Sequence, residues 1–181
     1  MDSLTFDRLR RLHTHFGPRV FGKVAQKLLA LAFAECGFCH VVEREVQGVD
    51  IDIAGLDEQT FALEVKTTTN DSIFLSQENI QALEDRAKDG YVPLVAALRI
   101  RPLEEWVLAA IPLTRLQPGS IPLTRLRAYR LKELEQRVNA EFQAMIGEYY
   151  HGLLDEGEAY LNEVMQRKRS IGPQAATVDL D

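Results

Sequence analysis

The chain has 181 residues, 46% of them hydrophobic, with a formal net charge of -6 and two cysteines. This is enough chain and apolar content for one compact core, and too little cysteine for a disulfide-stapled secreted scaffold. No apolar run approaches the ~20 residues of a membrane span, and the charged stretch from Met1 to Phe16 lacks the apolar centre of an export signal, so a soluble cytoplasmic protein without membrane contact is expected.

Helical spacing appears from Val20 to Glu35, where Phe21, Val24, Ala25, Leu28, Leu29 and Ala32 form one broad stripe and Gly37 offers a left-handed stop. Cys36-Gly37-Phe38-Cys39-His40 then spells C-x-x-C-H, the pattern of covalent haem attachment. Its setting argues against haem, which in this form belongs to exported chains, and against redox cysteines, which gain acidity at helix N-termini. His13, His15 and His151 show no spacing that would complete a zinc site. Buried structural thiols and no haem are expected.

Val41 to Val46 reads as a first strand. Asp50-Ile51-Asp52-Ile53-Ala54 and Phe61-Ala62-Leu63-Glu64-Val65-Lys66 then alternate polar and apolar residues across a short turn, Gly55 to Gln59, and so predict an antiparallel hairpin. Its apolar face takes Ile51, Ile53, Phe61, Leu63 and Val65. The opposite face takes Asp50, Asp52, Ala62, Glu64 and Lys66. Carboxylates gathered on a partly buried face repel one another unless a cation compensates, and oxygen donors without sulfur or imidazole suit Mg²⁺ or Mn²⁺. A lysine on the same face could stabilise charge on a phosphoryl group or orient a water, which points to metal-assisted phosphodiester hydrolysis. The same alternation also describes an ordinary solvated hairpin with cross-strand ion pairs.

Further along, Ser76 to Lys88 reads as a helix capped by Ser76 and ending near Gly90, Pro93 to Ile100 as a strand covered on both faces, and Trp106 to Ile111 as a fifth strand. Ile-Pro-Leu-Thr-Arg-Leu occurs at 111–116 and again at 121–126 across Gln117-Pro118-Gly119-Ser120, a local duplication that sets Arg115 and Arg125 in equivalent positions. Leu131, Leu134, Val138, Phe142, Met145 and Tyr149 follow helical steps. Gly147, Gly152 and Gly157 are expected to interrupt that helix before a second one, Glu158 to Arg169, and Ser170 to Asp181 has no periodicity.

Charge is uneven. Residues 1–30 carry six basic and two acidic side chains, 31–98 four and thirteen, 99–130 six and two, and 131–181 five and ten. Arg19, Lys23, Arg99, Arg101, Arg115 and Arg125 are therefore candidates for holding a nucleic-acid backbone beside an acidic metal site, with an ordinary solvated surface as the alternative.

Asp52, the run Glu64-Val65-Lys66 and the order of elements around them resemble the PD-(D/E)XK nuclease superfamily, most closely its archaeal-type Holliday junction resolvase and restriction-endonuclease-like branches, over about residues 18–113. The resemblance implies an α/β restriction-endonuclease-like core, α-β-β-β-α-β-β; the domain is expected over residues 1–127, and periodicity adds a helical extension at 128–169 and a mobile tail at 170–181. The resemblance also implies a metal-dependent DNA endonuclease acting on branched or structured DNA. Asp52 and Glu64 would be metal ligands with the Val65 backbone carbonyl, and Lys66 the catalytic lysine. Asp50 competes with Asp52 for the aspartate role, and Asp52 is preferred. Gln77 resembles a glutamine seen after the lysine strand. The resolvase branch carries a helix glutamate four residues after a glycine, whereas here Gly22 is followed by Gln26, which helical geometry could still bring to the site. A neutral amide there leaves a one-metal enzyme, a weakened enzyme, or a silent module that binds nucleic acid or protein. A homodimer through the C-terminal helices, or a place in a larger DNA-processing assembly, is a further expectation.

Overall fold

A computed structural model describes residues 1–38, 40–43, 48–55, 59–100 and 103–171, the side chains of 169–171 excepted. Cys39, Arg101, the end of the expected first strand at 44–46, the centre of the hairpin turn at 56–58 and the tail from 172 lie outside the described residues.

Helix α1 (Ser3–Glu35) starts at Asp2, whose carboxylate accepts the Thr5 N–H at 2.7 Å. At Gly17 its backbone leaves helical geometry for φ 72°, ψ 169°, and Pro18, which has no N–H to give, restarts the helix. The expected stripe from Phe21 to Ala32 is buried along its whole length. Lys27 is buried with it, and its ammonium binds Glu43 at 3.0 Å and Glu158 at 3.6 Å. A lone ammonium there would be costly, so the pairing makes the burial tolerable.

Strands β1 (His40–Glu43), β2 (Ile51–Ala54), β3 (Thr60–Thr68), β5 (Val92–Arg99) and β6 (Val107–Ala109) form one mixed sheet in the order β1-β2-β3-β5-β6. Only the β3–β5 pair is parallel, and α2 (Gln77–Lys88) lies in the crossover between them. This five-stranded mixed sheet with flanking helices is the restriction-endonuclease-like arrangement that the sequence resemblance implies. A separate ribbon, which the sequence reading does not include, pairs β4 (Ser72–Leu75) with β7 (Gly119–Pro122).

The sheet separates two cores. One face, with Ile51, Ile53, Phe61, Leu63, Val65, Leu94, Ala96 and Leu98, packs against α1, α4 (Lys132–Glu156) and α5 (Glu158–Ile171). The other, with Ala62, Val95, Ala97, Val107 and Ala109, packs against Ile80 and Leu83 of α2 and against the β4–β7 ribbon. Helix α4 corrects the reading of the glycines: it runs through Gly147 and Gly152 and stops only at Gly157, where φ is 62°. Its stripe of Val138, Phe142, Met145 and Tyr149 is buried in the first core, so that surface is used within the chain instead of awaiting a second copy.

The two copies of the hexapeptide repeat are related in local form, a 3-10 turn in the first and a short α-helix after a strand in the second. Pro112 and Pro122 each precede a short helical turn, Leu113–Arg115 and α3 (Leu123–Arg127), and Ile111, Ile121, Leu116 and Leu126 are all buried. Cys36 is half-buried, and burial pushes its thiol pKa up. Among the described residues no helix is long and apolar enough to cross a membrane.

Candidate active site

The hairpin is the starting point. In the ladder Ile51 faces Leu63 and Asp52 faces Ala62, and the turn is closed by Gly55 N–H donating to the Gln59 carbonyl at 2.8 Å. Continuing this register by one residue sets Asp50 at the level of Glu64, on the sheet face that α2 covers.

That register sets the two aspartates apart. Asp52 does not join Glu64. It lies under the C-terminal half of α2, where the Arg86 guanidinium grips it with two bonds, Nε to Oδ1 at 2.9 Å and Nη2 to Oδ2 at 2.7 Å. Arg86 also binds Asp89 at 2.9 Å and stacks on Tyr91, with its carbon 4.0 Å from the ring centroid. A planar fork on a buried carboxylate is a strong, fixed contact. The geometry thus sets Asp50, rather than the preferred Asp52, beside Glu64.

Asp50 accepts the Val65 N–H at 2.7 Å through Oδ2. Glu64 is almost wholly buried, at 1% exposure. Its Oε1 accepts two short bonds, from Lys66 Nζ at 2.6 Å and from Asn79 Nδ2 at 2.6 Å. Its Oε2 is buried and meets no donor among the described residues. Burial, then repulsion from Asp50, pushes the Glu64 carboxyl up to about 7, and burial also raises Asp50. Pressed together under α2, both carboxyls hold their protons more tightly than free acids do.

Gln26 reaches this place from α1, its amide donating to the Asp50 carbonyl at 3.5 Å. Gly22, one turn earlier, lies where an added Cβ would stand 3.4 Å from Thr67 Oγ1, so α1 runs within van der Waals reach of β3 here. Gln77 does not approach the acids; it is exposed in the first turn of α2. Asn79, which sequence reasoning missed, does. Its signal was present as Ser76-x-x-Asn79, the capping box in which Ser76 Oγ accepts the Asn79 N–H at 3.2 Å and Asn79 Oδ1 accepts the Ser76 N–H at 3.0 Å.

Can these groups hold a divalent cation? An orphaned buried carboxylate oxygen, a second carboxylate pressed against it and an all-oxygen donor set fit a hard ion. Among the described residues no group of three or more His, Cys, Asp or Glu is placed to hold a metal ion, so the carboxylates described at this place are two, and a cation there would need further oxygen donors such as a backbone carbonyl and water. Sparse ligation of this kind suits Mg²⁺, which keeps several waters.

The basic candidates are scattered. Arg19 and Lys23 are exposed on α1, Lys23 next to the Gly22 contact with β3. Arg99 ends β5 and binds Asp71 and Glu104. Arg115 and Arg125 are exposed and joined, Arg125 donating to the Arg115 carbonyl while Arg115 donates to the Tyr129 hydroxyl. On the helical side, Arg10, Arg11, Thr14, His15, Tyr150 and Leu154 line an open cleft of about 640 Å³.

No protein-family model and no curated protein matches the chain. Among solved structures it is similar to a Holliday junction resolvase from the archaeal hyperthermophile Archaeoglobus fulgidus, at 20% identity and a TM-score of 0.48, over 60% of this chain and 89% of the other.

Proposed function

We propose that this chain is a divalent-metal-dependent deoxyribonuclease that hydrolyses phosphodiester bonds in branched or structured DNA. The observation behind this reading is the buried Asp50 and Glu64 pair, with one carboxylate oxygen lacking a donor and Lys66 fixed to the other. Asp50, Glu64 and the Val65 carbonyl would hold Mg²⁺ or Mn²⁺, which when bound supplies Lewis acidity to a phosphoryl oxygen and to water. Lys66 extends from the buried carboxylate towards solvent, its side chain 28% exposed, where its ammonium can meet phosphoryl oxygens and stabilise charge that grows on them. In the reaction a water oxygen bonds to phosphorus and gives up a proton to solvent, the P–O ester bond breaks, and the departing oxygen takes a proton from solvent. Arg19, Lys23, Arg115 and Arg125 are exposed for backbone contacts, whereas Arg99 must exchange its carboxylate partners to make one.

A second reading has its own observation. Gln26 brings an amide where a further carboxylate would strengthen cation binding, and it is turned to a backbone carbonyl. That favours a silent nuclease-fold module, binding nucleic acid or protein or serving as a subunit of a DNA-processing assembly.

Cleavage of four-way junction, flap, single-stranded and duplex DNA, with and without Mg²⁺ or Mn²⁺, separates the two. The nuclease reading expects metal-dependent cleavage that falls at least about a thousandfold in Lys66→Ala and Asp50→Asn. DNA retention without cleavage by the native chain would overturn it in favour of the silent module.

A further inference from the structure

We infer that Glu64 meets its cation through one oxygen, Oε2, and that Asn79 is the positioning residue that imposes this. The inference rests on the metal reading above and adds which atom binds and what holds it.

Two donors converge on the same Glu64 oxygen. Lys66 Nζ and Asn79 Nδ2 each stand 2.6 Å from Oε1, while Oε2 has no donor and is closed off from water. A carboxylate with one oxygen saturated and the other bare has its remaining lone pairs concentrated on the bare atom, which is the one available to a cation beside Asp50. Lys66 alone could not fix the carboxylate's rotation, because its long, flexible stem turns with the group it follows. Asn79 can. Its amide is held at the other end, where Oδ1 accepts the Ser76 N–H, and its own N–H is bound by Ser76 Oγ. The first turn of α2 thereby becomes a rigid mount for a carboxylate on β3, fifteen residues earlier in the chain. Gln77 and Glu78 in the same turn are exposed and have no such part.

The test compares two halves of one capping box. Asn79→Ala removes a cap partner and the Glu64 donor; Ser76→Ala removes a cap partner and leaves the donor. Mn²⁺ binding by the whole chain, followed by electron paramagnetic resonance of the free ion, should weaken about tenfold or more in Asn79→Ala and less than about twofold in Ser76→Ala. Both should lower the metal-free thermal midpoint by a similar few degrees. Asn79→Ser, with a hydroxyl that can still cap but is too short to reach Glu64, should reproduce the loss of Mn²⁺ if Asn79→Ala does not fold. Native affinity in the Asn79 variants, or equal losses in Asn79→Ala and Ser76→Ala, overturns the inference while Glu64→Gln, which must lose Mn²⁺, upholds the metal reading. If Glu64→Gln binds Mn²⁺ as the native chain does, the metal reading fails and takes the inference with it.

Discussion

Asp50 and Asp52 share a strand face and differ in almost everything else. Asp52 is neutralised by a two-pronged Arg86 fork, itself stacked on Tyr91. Asp50 is set against Glu64 with one backbone N–H and a lysine one strand position away, and both acids are pushed up by burial. The first arrangement satisfies its charge inside the protein; the second does not. A buried acidic pair left short of donors is the kind of local cost that folds retain at functional positions, whereas the satisfied pair belongs to the framework.

The largest effect expected from breaking this contrast is at Arg86. Arg86→Ala leaves Asp52 buried, with 5% exposure, without its fork, and should cost about 3–5 kcal/mol in denaturant unfolding. Replacing both partners, Asp52→Asn with Arg86→Met, should recover more than half of that loss, because no unpaired charge remains. Equal costs for the single and double variants would show that Arg86 acts through its packing on Tyr91 instead.

The acidic pair should behave in the opposite sense. Glu64 has a folded value of about 7 against 4.5 for an ordinary glutamate, so folding takes up a proton. Its contribution is then complete below about pH 4.5 and is lost as pH rises through 7, a change of up to about 3 kcal/mol. The metal-free melting midpoint should therefore fall between pH 5 and pH 8, and Glu64→Gln should flatten most of that slope. Millimolar Mg²⁺ should raise the midpoint at pH 8 more than at pH 5.5, since the ion competes with the Glu64 proton. Parallel slopes in native and Glu64→Gln chains would remove the acidic pair as their source.

Much of this is written in the sequence. Period-two alternation placed both aspartates, Glu64 and Lys66 on one face, and the turn from Gly55 to Gln59 already specified register: reflection about position 57 carries 64 onto 50, as the closing Gly55 to Gln59 bond bears out. The apolar stripe of α1 and the Ser76 cap of α2 were equally direct, being local patterns. What could not be read is tertiary. Arg86 finds Asp52 across 34 residues, and nothing local distinguishes it from any exposed helix arginine. Asn79 looked like a capping residue and is one; that its other end reaches Glu64 depends on where the parallel crossover sets α2 down. Arg99 read as a candidate for a nucleic-acid backbone, and its ion pairs with Asp71 and Glu104 at the end of β5 were not legible.

The smallest expected effects come from the far side of the sheet, and there two glycines make a comparison of the same kind. Both sit inside α4, where glycine is costly by about 1 kcal/mol relative to alanine, and both looked like interruptions. Gly152 has a tertiary reason: a Cβ there would stand 2.4 to 2.7 Å from three ring atoms of Tyr160, which α5 presses back onto α4 and which meets Tyr149 edge-on at 6.0 Å. Gly147 has none, since its nearest neighbour is the end of the Arg8 side chain at 3.6 Å, ordinary contact with a group that can yield. Gly152→Ala should consequently destabilise by about 1–3 kcal/mol as Tyr160 is displaced, and Gly147→Ala should stabilise by about 0.5–1 kcal/mol through reduced chain entropy and better helix propensity. Thermal melts of the two variants read opposite signs from the same substitution in one helix. A Gly152→Ala chain as stable as Gly147→Ala would mean that Tyr160 can swing aside, so that the close approach of α5 to α4 is not what requires glycine at 152.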